Sequence, residues 1–201
     1  MAVLLTDEQV TATRERIRAV AERHIARQGP AGVSLRAVAA ECGLAAASLY
    51  RYYASKADLL AATRAAAHDR FSDRIEAAWA GPGDLWDRSR AIGEAFADFA
   101  FSEPAAYQLI FAFEQDEADK SDELRRAEAR SHRTLTGYVR EMVEAGLLEG
   151  DPDIIAHAYW AALHGLVVLT MAGRIPDRAR FEQLRHGAAR LITRGALPAA
   201  R

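Results

Sequence analysis

The chain has 201 residues, half of them hydrophobic, and a formal net charge of −2 at pH 7, which excludes a uniformly basic coat for nucleic acid. Charge is uneven: residues 1–70 hold ten Lys and Arg against seven Asp and Glu, a net of +3, and the rest nets −5. Phosphate is therefore expected to meet the N-terminal third only. The single cysteine, Cys42, excludes a disulfide within the chain and fits a reducing cytosol. Met1 to Gln9 lacks the pattern of a signal peptide, and no uninterrupted apolar run approaches the ~18 residues of a bilayer span, so a cytoplasmic location with no membrane partner is expected.

Abundant alanine and the lack of alternating runs favour helix throughout. The first helix is expected from Asp7 to Gln28, on the spacing of Val10, Ile17, Val20, Ala21, His24 and Ile25, with Gly29-Pro30 as its stop. Ser34 reads as the N-cap of a short helix over Leu35–Glu41. Gly43 makes a turn, and a third short helix follows over Ala45–Arg51. Ser55 caps a longer helix, Lys56–Ala78.

After the break at Ala80-Gly81-Pro82-Gly83, Asp84 caps a helix to Phe101. A short apolar helix follows the turn at Pro104, over Ala105–Phe113, and Gln115–Ser121 is a polar connection. A long amphipathic helix is expected over Asp122–Ala145, ended by Gly146. The next, Asp153–Ala172, is apolar nearly all round and must be covered on more than one side. The last, Asp177–Arg194, carries a stripe of Phe181, Leu184, Ala188, Leu191 and Ile192. The fold class is all-α with about nine helices: an N-terminal three-helix domain over residues 1–54 and a C-terminal helical bundle over 55–201.

The strongest motif runs from Ser34 to Leu60, SLRAVAAECGLAAASLYRYYASKADLL. A short helix, a glycine turn and a second short helix make helix-turn-helix anatomy, in which the second helix enters the major groove. Val38, Leu44 and Leu49 sit where the two helices pack, and Ser55-Lys56 opens the next helix with a lysine suited to phosphate. With Gly29, Ala39, Gly43-Leu44, Leu49-Tyr50-Arg51-Tyr52-Tyr53, Ser55-Lys56 and Leu59-Leu60, this stretch resembles the DNA-binding domain of the TetR family of regulators. Ala45 and Ala47 depart from it: many members carry Ser or Thr, and Gly or Pro, at those places. SEPAAYQLIFAF (102–113) and YWAALHGL (159–166) resemble the two signatures of that family's WHG-type sensor domain, named for Trp160 and His164-Gly165 here.

The resemblance implies a transcription regulator, not an enzyme: a repressor that binds a palindromic double-stranded DNA operator as a homodimer and is released by a small hydrophobic or amphipathic effector. It implies DNA contacts at Ser34, Arg36, Ala46, Ala47, Ser48, Tyr50, Tyr52 and Lys56. Arg36 can pair with a guanine edge, while Ser34, Lys56 and the hydroxyls of Tyr50 and Tyr52 suit phosphate. Arg51 is assigned to backbone or solvent, and Tyr53 to packing. The three alanines before Ser48 offer only methyl groups, so Arg36 and Ser48 are expected to carry the hydrogen-bonded readout.

For the effector, candidate lining residues are Trp86, Phe96, Phe99, Tyr107, Phe111, Tyr138, Trp160 and His164, with His132 and His157 as further polar anchors. Any one of them also fits an ordinary core. The last two helices are expected to form the dimer interface, through Ile155, Tyr159, Leu166, Leu169, Phe181, Leu184, Ala188 and Leu191. No cofactor or metal is expected: no phosphate loop, nucleophile elbow or HExxH is present, and Asp151, Asp153 and His157 read as a cap and two surface residues. The alternatives are a helical protein-interaction module without DNA binding, and a regulator that activates.

Overall fold

A computed structural model of the chain describes residues 6–111 and 116–198, and all regular structure among them is helical. The helices are α1 (Asp7–Gly32), α2 (Leu35–Glu41), α3 (Ala46–Leu49), α4 (Lys56–Trp79), α5 (Leu85–Ser102), α6 (Pro104–Phe111), α7 (Asp122–Glu144), α8 (Pro152–Met171) and α9 (Arg178–Gly195). A single 3-10 turn, Glu117–Asp119, precedes α7.

Their ends follow local chemistry. Thr6 and Gln9 form a reciprocal capping box at the start of α1. Gly29 leaves helical geometry at φ 70°, as the Gly-Pro pair leads one to expect, yet a further turn carries the element on to Gly32. Asp84 accepts the Asp87 N–H at 2.8 Å before α5, and Asp177 accepts the Arg180 N–H at 2.8 Å before α9. Helix α3 is shorter than expected: only four residues are helical, and its N-cap, Ala45, has no side-chain oxygen to hold the first turn. Of the expected Ala105–Phe113 helix, Phe113 lies outside the described residues, as do the first residues of the polar connection.

Two compact units divide the chain. The first groups residues 1–70 with 102–129; the second groups 71–101 with 130–201. The core of the first gives the reason. Ile17, Val20 and Ile25 of α1, Val38 of α2 and Leu49 of α3 share one cluster with Leu59 and Leu60 of α4 and with Leu109 of α6. Arg70 of α4 ties this unit further, donating to both oxygens of Glu22 at 2.9 and 3.0 Å and to Glu103 at 2.9 Å. The chain thus passes between the units three times: within α4, between α5 and α6, and within α7.

In the second unit, Phe71 meets Phe96 and Phe99 edge-on, with centroids 5.5 and 5.3 Å apart. Helix α9 packs on α8, where the Tyr159 and Thr193 hydroxyls are 2.6 Å apart. Helix α8 has 20 residues, and an 18-residue window of it reaches a mean hydropathy of 1.6 with 17% of that window buried, so by length and composition it is long and apolar enough to cross a membrane. Its apolar excess is left largely uncovered in one chain.

His68 of α4 sits in the first unit at 5% exposure. Burial, with Arg64 adding repulsion and Glu128 opposing it, lowers its pKa to about 4. Its folded pKa lies below the ordinary 6.5, so the unfolded chain takes up a proton that the folded one refuses. Stability therefore falls as pH drops from about 6.5 to about 4, by on the order of 3 kcal/mol. Denaturant titrations at stepped pH are expected to show that slope, and His68→Gln to remove it.

Candidate functional sites

The first site is the open face of α2 and α3. Ser34 caps α2, accepting the Ala37 N–H at 3.5 Å, and so leaves Arg36 exposed on the first turn. The Leu44 N–H donates to Ala39 O at 2.8 Å and Gly43 takes φ 67°, which turns the chain tightly into α3. Leu49 is fully buried, and the residues around it are not: Ala46, Ala47 and Tyr50 are exposed and Ser48 is half-buried. Arg51 is exposed as well.

Lys56 is half-buried, and its Nζ donates to Ala31 O at 2.5 Å, which ties the start of α4 to the end of α1. Ser55 accepts the Asp58 N–H at 3.1 Å while Asp58 accepts the Ala54 N–H at 2.8 Å, a two-way cap. Tyr52 is the correction. It is 8% exposed and belongs to the core cluster, so its ring packs instead of facing outward with Tyr50. Tyr53 packs as expected, 1% exposed: its hydroxyl donates to Arg14 O at 3.2 Å and the Arg14 guanidinium lies 4.5 Å from its ring centroid. On the other flank, Glu41 receives Arg23 at 2.8 Å and His24 at 2.9 Å, and these hydrogen bonds lower its carboxyl pKa.

The second site is an open cavity of about 560 Å³ within the second unit, lined by α5, α7, α8 and α9. That size suits a small organic molecule. Of the expected lining residues, Trp86, Phe96, Tyr138 and Trp160 line it, whereas Phe99 is fully buried against Phe71 and His164 does not line it. Burial lowers the His164 pKa, which keeps that imidazole neutral at pH 7. Tyr107 and Phe111 belong to the other unit, where their rings pair at 4.8 Å. The hydrophobic spacing of α6 is the same for either role, so its sequence held no sign of which core it would join. The rings of His132 and His157 lie 5.7 Å apart, tilted at 52°, and both residues are exposed, outside the cavity.

Sequence reading missed Arg90, Gly93, Leu163, Arg185, Arg190 and Arg194 as lining residues. The only available sign was that Arg185, Ala189 and Thr193 recur at helical spacing on α9. It says nothing of α5, which faces them. Asp151 caps α8 through the N–H groups of Asp153 and Ile154, which accounts for a carboxylate considered as a metal ligand.

The expected interface residues divide. Ile155 and Phe181 are buried within the chain, at 7% and 0% exposure, and have no surface for a partner. Tyr159, Leu166 and Ala188 line the cavity and Leu184 is half-buried. Leu169 and Leu191 are exposed, at 47% and 73%, and are joined by Ile154 at 70%, Val168 at 45% and Met171 at 37%, which sequence reading had not singled out for this role.

Comparison with known proteins places both regions in one context. A family model described as bacterial regulatory proteins, tetR family, matches residues 17–63, and one described as tetracyclin repressor-like, C-terminal domain, matches residues 89–195. An HTH-type transcriptional regulator of Mycobacterium tuberculosis is 32% identical over 104 residues, 49% of this chain and 44% of the relative. The match thus spans less than half the length of that relative. Among solved structures, a protein of unknown function from Rhodococcus sp. RHA1 superposes with a TM-score of 0.80 at 24% identity, covering 92% of this chain and 96% of that one. A TetR family transcription regulator from Marinobacter aquaeolei VT8 does so at 0.76 and 20% identity, covering 96% and 100%. At these identities the likeness is one of fold.

If the cavity admits apolar molecules, the neutral dye Nile red should gain fluorescence with this protein, and Leu163→Trp, which fills the space, should remove the gain without lowering the unfolding temperature.

Proposed function

We propose, for a chain that belongs to the tetR family of bacterial regulatory proteins, that it is a cytoplasmic repressor which binds a palindromic operator as a homodimer and is released by a small molecule. The chain is a transcription regulator, not an enzyme, with an N-terminal DNA-binding region. In the proposal, residues 1–54 read DNA and residues 55–201 sense the effector and dimerise.

One observation supports the DNA reading best. Arg36, Ala46, Ala47 and Tyr50 are exposed and Ser48 is half-buried, within the segment matched by the DNA-binding model. Arg36 pairs with a guanine edge, the alanine methyls pack on thymine methyls, and Tyr50, Ser34 and Lys56 meet phosphate. With so few polar side chains on α3, the sequence-dependent shape of the operator supplies the remaining discrimination.

The exposed apolar residues of α8 and α9 argue for a second copy of the chain. Leu169, Leu191, Ile154, Val168 and Met171 are too many large side chains to leave in water. A bilayer suits α8 less well: one flank already packs on α9, and Asp153, His157 and His164 interrupt the rest. A two-fold pair presents two recognition helices to half-sites about one helical turn apart. An effector then releases DNA only if it binds more tightly to the arrangement that does not fit the operator. Three segments of chain join the two units, and each is a route for that coupling.

Selection from a random DNA pool at two salt concentrations tests the reading. The expected result is a palindrome whose enrichment weakens as salt rises, because phosphate contacts release counterions. Arg36→Ala should relax one position in each half-site, at a cost of about 1–3 kcal/mol. The paired change Leu169→Glu with Leu191→Glu should give a monomer by sedimentation and lose the operator. A dimer that survives it puts the interface elsewhere, and no enrichment at low salt favours a protein-interaction module instead.

A further inference from the structure

The cavity lining combines two chemistries. One is apolar and aromatic, from Phe96, Leu135, Tyr138, Trp160, Leu163 and Leu166. The other is cationic: Arg90, Arg185, Arg190 and Arg194 line it, and no Asp or Glu does. A cleft with low-dielectric walls and one sign of charge concentrates the opposite sign.

Arg185 is the built part. It is 8% exposed, a level of burial that a charged side chain tolerates only when paired. Glu182 takes its Nε at 2.7 Å and its Nη2 at 2.6 Å, and Glu94 approaches Nη2 at 3.6 Å. Neither carboxylate belongs to the cavity lining. The remaining nitrogen, Nη1, lies against α5, where a Cβ on Gly93 would be 3.0 Å away. Glycine inside a helix is destabilising relative to alanine. Here its missing side chain is the space the guanidinium occupies.

Arg190 and Arg194, four residues apart on one face of α9, form no ion pair among the described residues. Arg90 is paired with Asp87 outside the lining. A neutral guest leaves these charges as they are and a cation is repelled. An anion gains charge-assisted hydrogen bonds, the stronger kind.

We propose that this cavity takes an amphipathic organic anion: an apolar or aromatic body against Phe96, Trp160 and Leu163, with a carboxylate or similar head group held by Arg185 and the α9 arginines. Only the word effector rests on the repressor reading; binding itself does not.

The probes are dodecanoate, dodecan-1-ol and dodecylammonium, each below its aggregation concentration, with the purified full chain and fluorescence of Trp86 and Trp160 as the readout. Dodecanoate is expected to bind saturably and at least about tenfold more tightly than the alcohol or the ammonium. Arg185→Met should reduce dodecanoate affinity by about tenfold or more and leave dodecan-1-ol unchanged. If that variant does not fold, the exposed pair Arg190→Gln with Arg194→Gln makes the same comparison. Equal binding of the three probes, no binding of any, or charge variants that leave the ratio unchanged would each overturn the proposal. Operator binding is measured separately. A protein that selects an operator yet binds no dodecanoate defeats this inference alone. One that binds dodecanoate and keeps its operator defeats release by such an anion and leaves the cavity chemistry standing.

Discussion

Helix α4 contributes to two cores at once, and that constraint shapes the rest of the molecule. Leu59 and Leu60, near its start, complete the cluster around the short helices, while Phe71, further along, packs on Phe96 and Phe99 in the second unit. A helix covered on most of its sides has room only for small residues between its anchors, and Ala61, Ala62, Ala65 and Ala67 fill those places with almost no exposure. Three of its buried polar residues are answered in kind. Thr63 donates to its own helix at Leu59 O, Arg64 donates to Leu109 O and pairs with Glu128, and the Ser72 and Ser131 hydroxyls are 3.0 Å apart.

The exposed face of α2 and α3 depends on that burial. Four helical residues with no side-chain cap have little helical stability of their own. They hold their position because Leu49 is inserted into the core and because Arg14, through Tyr52 O at 2.7 Å and the ring of Tyr53, fastens the chain just after them. A DNA-reading surface built in this way is set by packing behind it, and its open side is left for recognition. Burial also explains the loss of Tyr52 from that surface. Tyr50 and Tyr52 are two residues apart, and on a helical turn that spacing points them in different directions.

The second unit solves another problem. Helix α8 is apolar nearly all round, and a single chain offers it only limited cover, from α9 and from the cavity wall. One flank is occupied by Tyr159 and its bond to Thr193; another carries Ile154, Val168, Leu169 and Met171 into the open. The cavity and the proposed interface are therefore neighbouring faces of the same two helices. A molecule that fills the one presses on the helices that form the other, which gives the proposed regulator a short mechanical route from effector to dimer geometry.

Much of this was legible in the sequence, where the chemistry is local. Helix starts followed from Ser34, Ser55, Asp84, Asp151 and Asp177, because a cap needs only residues within one turn. The turn at Gly43 followed from its freedom at positive φ, and the core positions Val38 and Leu49 from helical spacing. The resemblance of Ser34–Leu60 was legible for the same reason: a helix-turn-helix is one continuous stretch. What only the tertiary structure decided was every assignment that joins distant segments. Leu109 joins the core of α1–α3, Tyr107 and Phe111 leave the cavity, Phe181 and Ile155 turn inward, and Arg185 of α9 meets Gly93 of α5. The spacing of apolar residues tells which face of a helix is buried. It does not tell against what, because that choice is made by contacts between residues tens of positions apart.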